Sequence, residues 1–154
     1  MNERILVPLD GSKVGEAALP YVEELISKLS PEVEVEITLF QVVSKTYYTV
    51  AGEAGVKIPY TEKEMEQIKR KATDYLSKVG EGLKSKRTTL EFKVEAGNAA
   101  EEIIKVADEI NADLIAMSTH GRSGLSRWAF GSVTDRILRG GNKAVLVVRA
   151  VEKT

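Results

Sequence analysis

Apolar positions along the chain follow two periods, and the periods alternate. Ile5-Leu6-Val7-Pro8-Leu9 is a short apolar run that ends in Asp10-Gly11-Ser12; it reads as a buried strand followed by a turn. Val14, Ala18, Tyr21, Val22, Leu25, Ile26 and Leu29 then recur at helical spacing, and Ser30-Pro31 stops that helix. Val33, Val35, Ile37 and Leu39 alternate with Glu34, Glu36 and Thr38, the period of a strand, which ends apolar at Phe40, Val42 and Val43. Residues 44 to 60 show no clear period, contain Tyr47, Tyr48, Gly52, Gly55, Pro59 and Tyr60, and predict a loop. From Thr61 to about Lys86 a long helix is expected, because Met65, Ile68, Ala72, Tyr75, Leu76, Val79 and Leu83 share one stripe.

Leu90, Phe92, Val94 and Ala96 alternate with Glu91, Lys93 and Glu95 to give a third strand. Asn98 is suited to cap the next helix, with Glu101 at N3 for a capping box, and Ala100, Ile103, Ile104, Ala107 and Ile110 form its stripe. Leu114 to Met117 is the fourth strand. Val133, Ile137 and Leu138 mark a short helix closed by Gly140-Gly141, and Ala144-Val145-Leu146-Val147-Val148 is the fifth strand.

Strict alternation of strand and helix implies a parallel sheet with helices on both faces. The first, fourth and fifth strands are continuously apolar, so both faces should be covered. The second and third alternate and belong toward one side. A single doubly wound, Rossmann-like α/β domain spanning 1–154, with strand order 3-2-1-4-5, satisfies this. Its switch point lies between the first and fourth strands, where ligands bind beyond the carboxyl ends. Those ends are Leu9-Asp10-Gly11-Ser12 and the segment Ser118 to Val133.

Composition narrows the chemistry. The 154 residues carry a net charge of −1, no cysteine and one histidine. Thiol catalysis, disulfides and a multi-histidine metal site are excluded, and no basic field draws nucleic acid. No apolar run approaches the roughly 18 residues of a membrane span. Met1-Asn2-Glu3-Arg4 leads almost directly into strand-like sequence, so no signal peptide is expected and the cytoplasm is the expected location.

The segment STHGRSGLSRWAFGSV, Ser118 to Val133, concentrates glycine and hydroxyl residues where the fourth strand ends. Gly121 and Gly124 allow tight turning and close approach to a ligand. Gly131-Ser132-Val133 opens a helix, whose free N–H groups suit phosphate. Ser123, Ser126 and Ser132 can donate hydroxyl protons, and Arg122 and Arg127 can add charge. Neither a Walker A loop nor G-x-G-x-x-G can be written here. A loop rich in turn residues with an ordinary helix start explains the same residues.

The segment Leu114 to Arg149, and the arrangement of the whole chain, resembles the universal stress protein family. Much of that family carries G-x2-G-x9-G-[ST]. Gly121, nine residues, and Gly131-Ser132 match its later fixed positions, whereas Ser118 replaces the first glycine. ILVPLDGS resembles the family's first strand, which implies that Pro8, Leu9 and Asp10 meet the adenine side. ITLFQVV resembles the second strand, with Val42 against adenine and Gln41 in place of the usual histidine. The resemblance implies an ATP- or AMP-binding regulatory switch or reservoir in the stress response. Its ligand, with Mg²⁺ as an optional companion, would contact Pro8, Leu9, Asp10, Val42, Ser118, His120, Gly121, Arg122, Ser123, Gly124, Gly131, Ser132 and Val133.

Several residues keep a second reading. Asp10 can cap the first helix. His120, without another histidine, can serve as a loop imidazole bonded to backbone. Trp128 can pack under the loop, and Tyr47, Tyr48 and Tyr60 can form a lid, contact a subunit or fill space. Two other functions compete: a dimeric stress-related interaction module that binds no nucleotide, and a slow ATP hydrolase. No dedicated catalytic residue is assigned. A homodimer through Ala144, Val145, Leu146, Val147 and Val148 is expected, because an apolar strand at a sheet edge invites pairing; the family resemblance points the same way.

Overall fold

The computed structural model describes residues 2–51, 54–120 and 131–150. The apolar run at the start of the chain forms β1 (Asn2–Leu9). It lies at the centre of a five-stranded parallel sheet with β2 (Glu34–Val43), β5 (Thr88–Ala96), β6 (Leu114–His120) and β7 (Ala144–Ala150). The order is β5-β2-β1-β6-β7, which is 3-2-1-4-5 when the parallel strands are counted alone. Ile5, Leu6 and Val7 are fully buried because helices cover both sheet faces. Alternate side chains feed two cores. One gathers Ile5, Val7, Val22, Ile37, Leu39 and Leu76. The other gathers Leu6, Phe40, Ile103, Val106, Ile115 and Ile137.

The first helical stretch is broken in two. Val14–Ala18 is a 3-10 turn, and α1 (Leu19–Lys28) follows. Pro20 accounts for the break: it has no N–H to donate to the Glu16 carbonyl, but it is well placed at a helix start. Tyr21, assigned to the buried stripe, is 54% exposed. The carboxyl end of α1 is closed from far along the chain, since Arg87 Nη2 donates to the Ile26 carbonyl at 2.8 Å.

Residues expected to be a loop instead form an antiparallel hairpin, β3 (Thr46–Ala51) and β4 (Ala54–Pro59), which stays outside the main sheet. Thr46, Tyr47, Thr49, Val56 and Ile58 favour extended backbone. Yet Tyr48 is 68% exposed and Val56 is exposed as well, so the two-sided polar contrast that marks a strand is missing. Tyr47 and Tyr60 fill space against each other, ring centroids 5.0 Å apart, while the exposed Tyr48 ring lies under Lys57, whose Nζ is 5.6 Å from the ring centre.

Helix α2 (Glu62–Glu81) opens with a complete Thr61–Glu64 capping box and stops at Gly82, short of the expected Lys86. In α3 (Ala99–Glu109), Asn98 caps the Glu101 amide, but the Glu101 carboxylate reaches Arg136 at 3.3 Å rather than closing a box. Helix α4 (Ser132–Gly140) leaves Leu138 45% exposed. Gly141 ends α4 in extended backbone, and a Cβ there would lie 2.9 Å from the Ile137 carbonyl oxygen. Edge strand β7 is less covered than expected, with Val145, Leu146 and Val147 only half-buried. No helix among the described residues is long and apolar enough to cross a membrane.

Candidate functional site

Strands β1 and β6 pair only at Ile5–Leu114 and Leu6–Ile115. Beyond those pairs their carboxyl ends diverge, as expected at a switch point where the chain winds away in opposite directions. A cavity of about 230 Å³ opens there. Its apolar wall is Phe40, Val42, Ile103, Met117 and Val133, and its polar wall includes Asp10, Ser118, Thr119, Ser132 and Thr134.

On the β1 side, the Asp10 carboxylate folds back onto its own turn. Oδ1 accepts from the Ser12 amide at 2.9 Å and from the Ser12 hydroxyl at 2.6 Å. The Ser12 hydroxyl in turn accepts from the Gly15 amide at 3.0 Å. Asp10 therefore organises the turn that leads into the 3-10 segment and does not cap α1 itself, whose N-cap, Ala18, has no side-chain bond. Gly11 takes φ +87° in this turn, a left-handed conformation open to glycine at little cost.

Two helix starts face the cavity from the other side. Ala99 at the head of α3 and Gly131-Ser132-Val133 at the head of α4 line it. Arg136 ties these starts together, bonding Asn98 Oδ1 at 3.4 Å and Glu101 Oε1 at 3.3 Å. At α4 the N-cap residue Gly131 supplies no side-chain acceptor, so among the described residues no capping side chain competes with an anion for the first amides of the helix. Gly131 has ordinary backbone angles, φ −51° and ψ 149°, and among the described residues a Cβ there would meet nothing within 4 Å. Asp135 is turned down the helix to Arg139, 2.9 Å away.

Of the residues expected at the site, Pro8, Leu9, Asp10, Val42, Ser118, Gly131, Ser132 and Val133 converge on the cavity. His120 ends β6, while its side chain lies outside the described residues. Gly121, Arg122, Ser123, Gly124, Ser126, Arg127 and Trp128 also lie outside them. Sequence reasoning missed Gly15, Phe40, Ala99, Ile103, Met117, Thr119 and Thr134. Phe40, Met117 and Thr119 were readable from strand alternation, since each sits two residues from a residue already placed at the strand mouth or within its strand. Gly15 carried no such signal.

Behind the β1 turn, Tyr75 of α2 donates its hydroxyl proton to Glu16 Oε2 at 2.9 Å. Burial first, then that bond and the charges of Glu16 and Asp10, hold the phenol well above its ordinary ionisation range.

The family model described as Universal stress protein family matches residues 1–149. Universal stress protein MJ0577 of Methanocaldococcus jannaschii is 32% identical over 160 residues, covering 97% of this chain and 96% of that protein. The solved structure of MJ0577 superposes with a TM-score of 0.71 at 23% identity, covering 98% of each chain. An Arabidopsis thaliana universal stress protein family member solved with AMP bound has a TM-score of 0.60 at 12% identity, covering 97% of this chain and 92% of that one. A universal stress protein solved in complex with cAMP has a TM-score of 0.55 at 21% identity, covering 97% and 98%. With its sheet order, its switch-point cavity and a family match over nearly its full length, this chain belongs to the universal stress protein family.

Proposed function

We propose that this protein binds an adenine nucleotide, ATP or AMP, in the crevice between β1 and β6, and acts in the cytoplasm as a nucleotide-dependent regulatory switch or reservoir. Gly131 carries the reading. Neither its backbone angles nor the described residues around it require glycine, and serine, asparagine or aspartate would cap α4 better. Close approach of a ligand to the backbone gives a reason for a glycine there. The AMP- and cAMP-bound relatives support the same ligand class.

In this reading the base lies on the apolar wall at Val42 and Phe40, beside Pro8, Leu9 and Asp10. The phosphates meet the head of α4, with Ser132 and Val133, together with His120, Gly121, Arg122, Ser123 and Gly124. Mg²⁺, when bound, arrives with the phosphates, because no three His, Cys, Asp or Glu side chains converge among the described residues. The protein works as a homodimer joined along β7. The half-buried Val145, Leu146 and Val147 on that edge favour the dimer, and they equally support the second reading, an interaction module without nucleotide.

Calorimetry on the parent and on Gly131→Val tests the proposal. The parent should bind ATP, and the variant should lose at least tenfold in affinity with little change in melting temperature. Unchanged affinity in the variant would refute the site. No binding by the parent would leave only the interaction module.

A further inference from the structure

The hydroxyl of Ser118 is bonded twice across the crevice. It donates to the Gly15 carbonyl at 2.9 Å and accepts from the Ala18 amide at 2.9 Å. Gly15 and Ala18 are the i and i+3 positions of the 3-10 segment, so one hydroxyl on β6 bridges a rung of a helical turn that follows β1. The connection continues. The Gly15 amide donates to Ser12 Oγ at 3.0 Å, and Ser12 Oγ donates to Asp10 Oδ1 at 2.6 Å. A chain of hydrogen bonds therefore runs from β6 to the carboxylate on the opposite lip.

The bridge stands where the sheet stops holding the lips together. Pairing between β1 and β6 ends at Leu6–Ile115, three residues before Ser118. A hydroxyl has a single proton, and that of Ser118 goes to Gly15, so it has none left for a phosphate. Resting on the nucleotide reading above, we propose that Ser118 is a positioning residue: a clasp between the two lips of the crevice that orients Asp10 toward the nucleoside. The serine that replaces the first glycine of the phosphate motif thus acts on the other end of the ligand.

Amide exchange followed by NMR on the nucleotide-free protein tests the clasp directly. In Ser118→Ala and Ser118→Gly the Ala18 amide should exchange about tenfold faster, the loss of one hydrogen bond, while core amides such as that of Ile37 keep their parent rates. Calorimetry tests the consequence. Ser118→Ala should weaken ATP and adenosine by about fivefold to tenfold and leave inorganic tripolyphosphate unchanged. The double variant with Asp10→Ala should bind adenosine no more weakly than Asp10→Ala alone. An unchanged Ala18 rate, equal losses for adenosine and tripolyphosphate, or additive losses in the double variant would overturn the proposal. A parent that binds neither ATP nor adenosine would defeat the nucleotide reading instead, and the exchange measurement alone would then decide whether the clasp exists.

Discussion

A Cβ on Gly15 would lie 2.5 Å from Asp10 Oδ1 and 3.4 Å from the Ser12 hydroxyl. The Asp10 carboxylate thus occupies the room that any side chain at position 15 would need. In Gly15→Ala the carboxylate must swing away and give up its bonds to Ser12. Those bonds involve a charged group and are worth about 1.5–3 kcal/mol each at most, discounted because Asp10 is exposed and can be resolvated. Alanine returns about 0.5–1 kcal/mol of backbone entropy. Folding stability should therefore change by about 1 kcal/mol or less, while adenosine affinity falls severalfold. Chemical denaturation and calorimetry on the same variant separate the two effects.

Gly80 makes a comparable contact inside the core. A Cβ there would lie 2.7 Å from Cε1 of Phe92, so α2 approaches β5 through a bare backbone. Alanine gains about 1 kcal/mol of helix propensity, but overpacking costs about 1–3 kcal/mol. Phe92 is only half-buried on an edge strand, so its ring can yield in part. Gly80→Ala should be destabilising by about 1 kcal/mol, a fall of about 2–4 °C in Tm. A higher Tm would show that the ring moves freely.

What could be read from the sequence followed the contrast between faces. The five parallel strands and their order were legible because Ile5–Leu9 is apolar on both faces while Val35, Ile37 and Leu39 alternate with polar residues. The lips of the crevice were legible because Asp10 and Ser118 end apolar runs. The β3–β4 hairpin was not, because its two sides are both partly exposed and period-2 contrast disappears. Gly15, Gly80 and Gly141 were silent because each answers to one atom brought close by the fold, the Asp10 carboxylate, the Phe92 ring or the Ile137 carbonyl, and a glycine letter records none of them. The Arg87 bond to α1 was hidden for the same reason: its partner is 61 residues away. Pro20 was visible, but the helical stripe from Val14 to Leu29 was read straight through it, and the break before α1 was missed.

The open edge of β7 should bring two copies together. Val147 is half-buried and belongs to neither core cluster, so a charge there should spare the fold and disfavour strand-edge contact. Light scattering at micromolar concentration should give a dimer for the parent and a monomer for Val147→Lys, with matching far-UV spectra. A parent that is strictly monomeric would contradict the proposed assembly.

Alkaline pH should single out Tyr75. Its ionisation is raised in the folded protein by burial and by the Glu16 bond, whereas in the unfolded chain it loses its proton near pH 10. Above that pH the folded state holds the extra proton, so stability falls as pH rises. The contribution is fully present below pH 10 and declines through the folded ionisation. Titration of tyrosine absorbance should show a late-ionising group that Tyr75→Phe removes. The same variant should lose less stability than the parent between pH 10 and 12. Identical slopes in the two proteins would assign the alkaline loss to other groups.

Turnover should be slow or absent. Hydrolysis of a phosphoanhydride needs an in-line water, a group to orient it and stabilisation of the transferring phosphate. The head of α4 and Ser132 offer stabilisation. Orientation is harder to supply. Among the described residues that line the cavity, Asp10 is the one carboxylate; it sits on the β1 lip with Oδ1 bonded to Ser12, whereas Asp135 is paired with Arg139. The sequence from 121 to 130 contains no acidic residue. Binding that favours ground state and transition state equally lowers KM without raising kcat. A nucleotide held this way should persist for many minutes, as a switch or reservoir requires. Release of phosphate from ATP by the purified protein should therefore stay well below about 1 s⁻¹, the low end of ordinary enzyme turnover. A rate at or above that value, abolished by changing His120 or Ser132, would instead establish an ATP hydrolase whose water is oriented from the 120–132 segment.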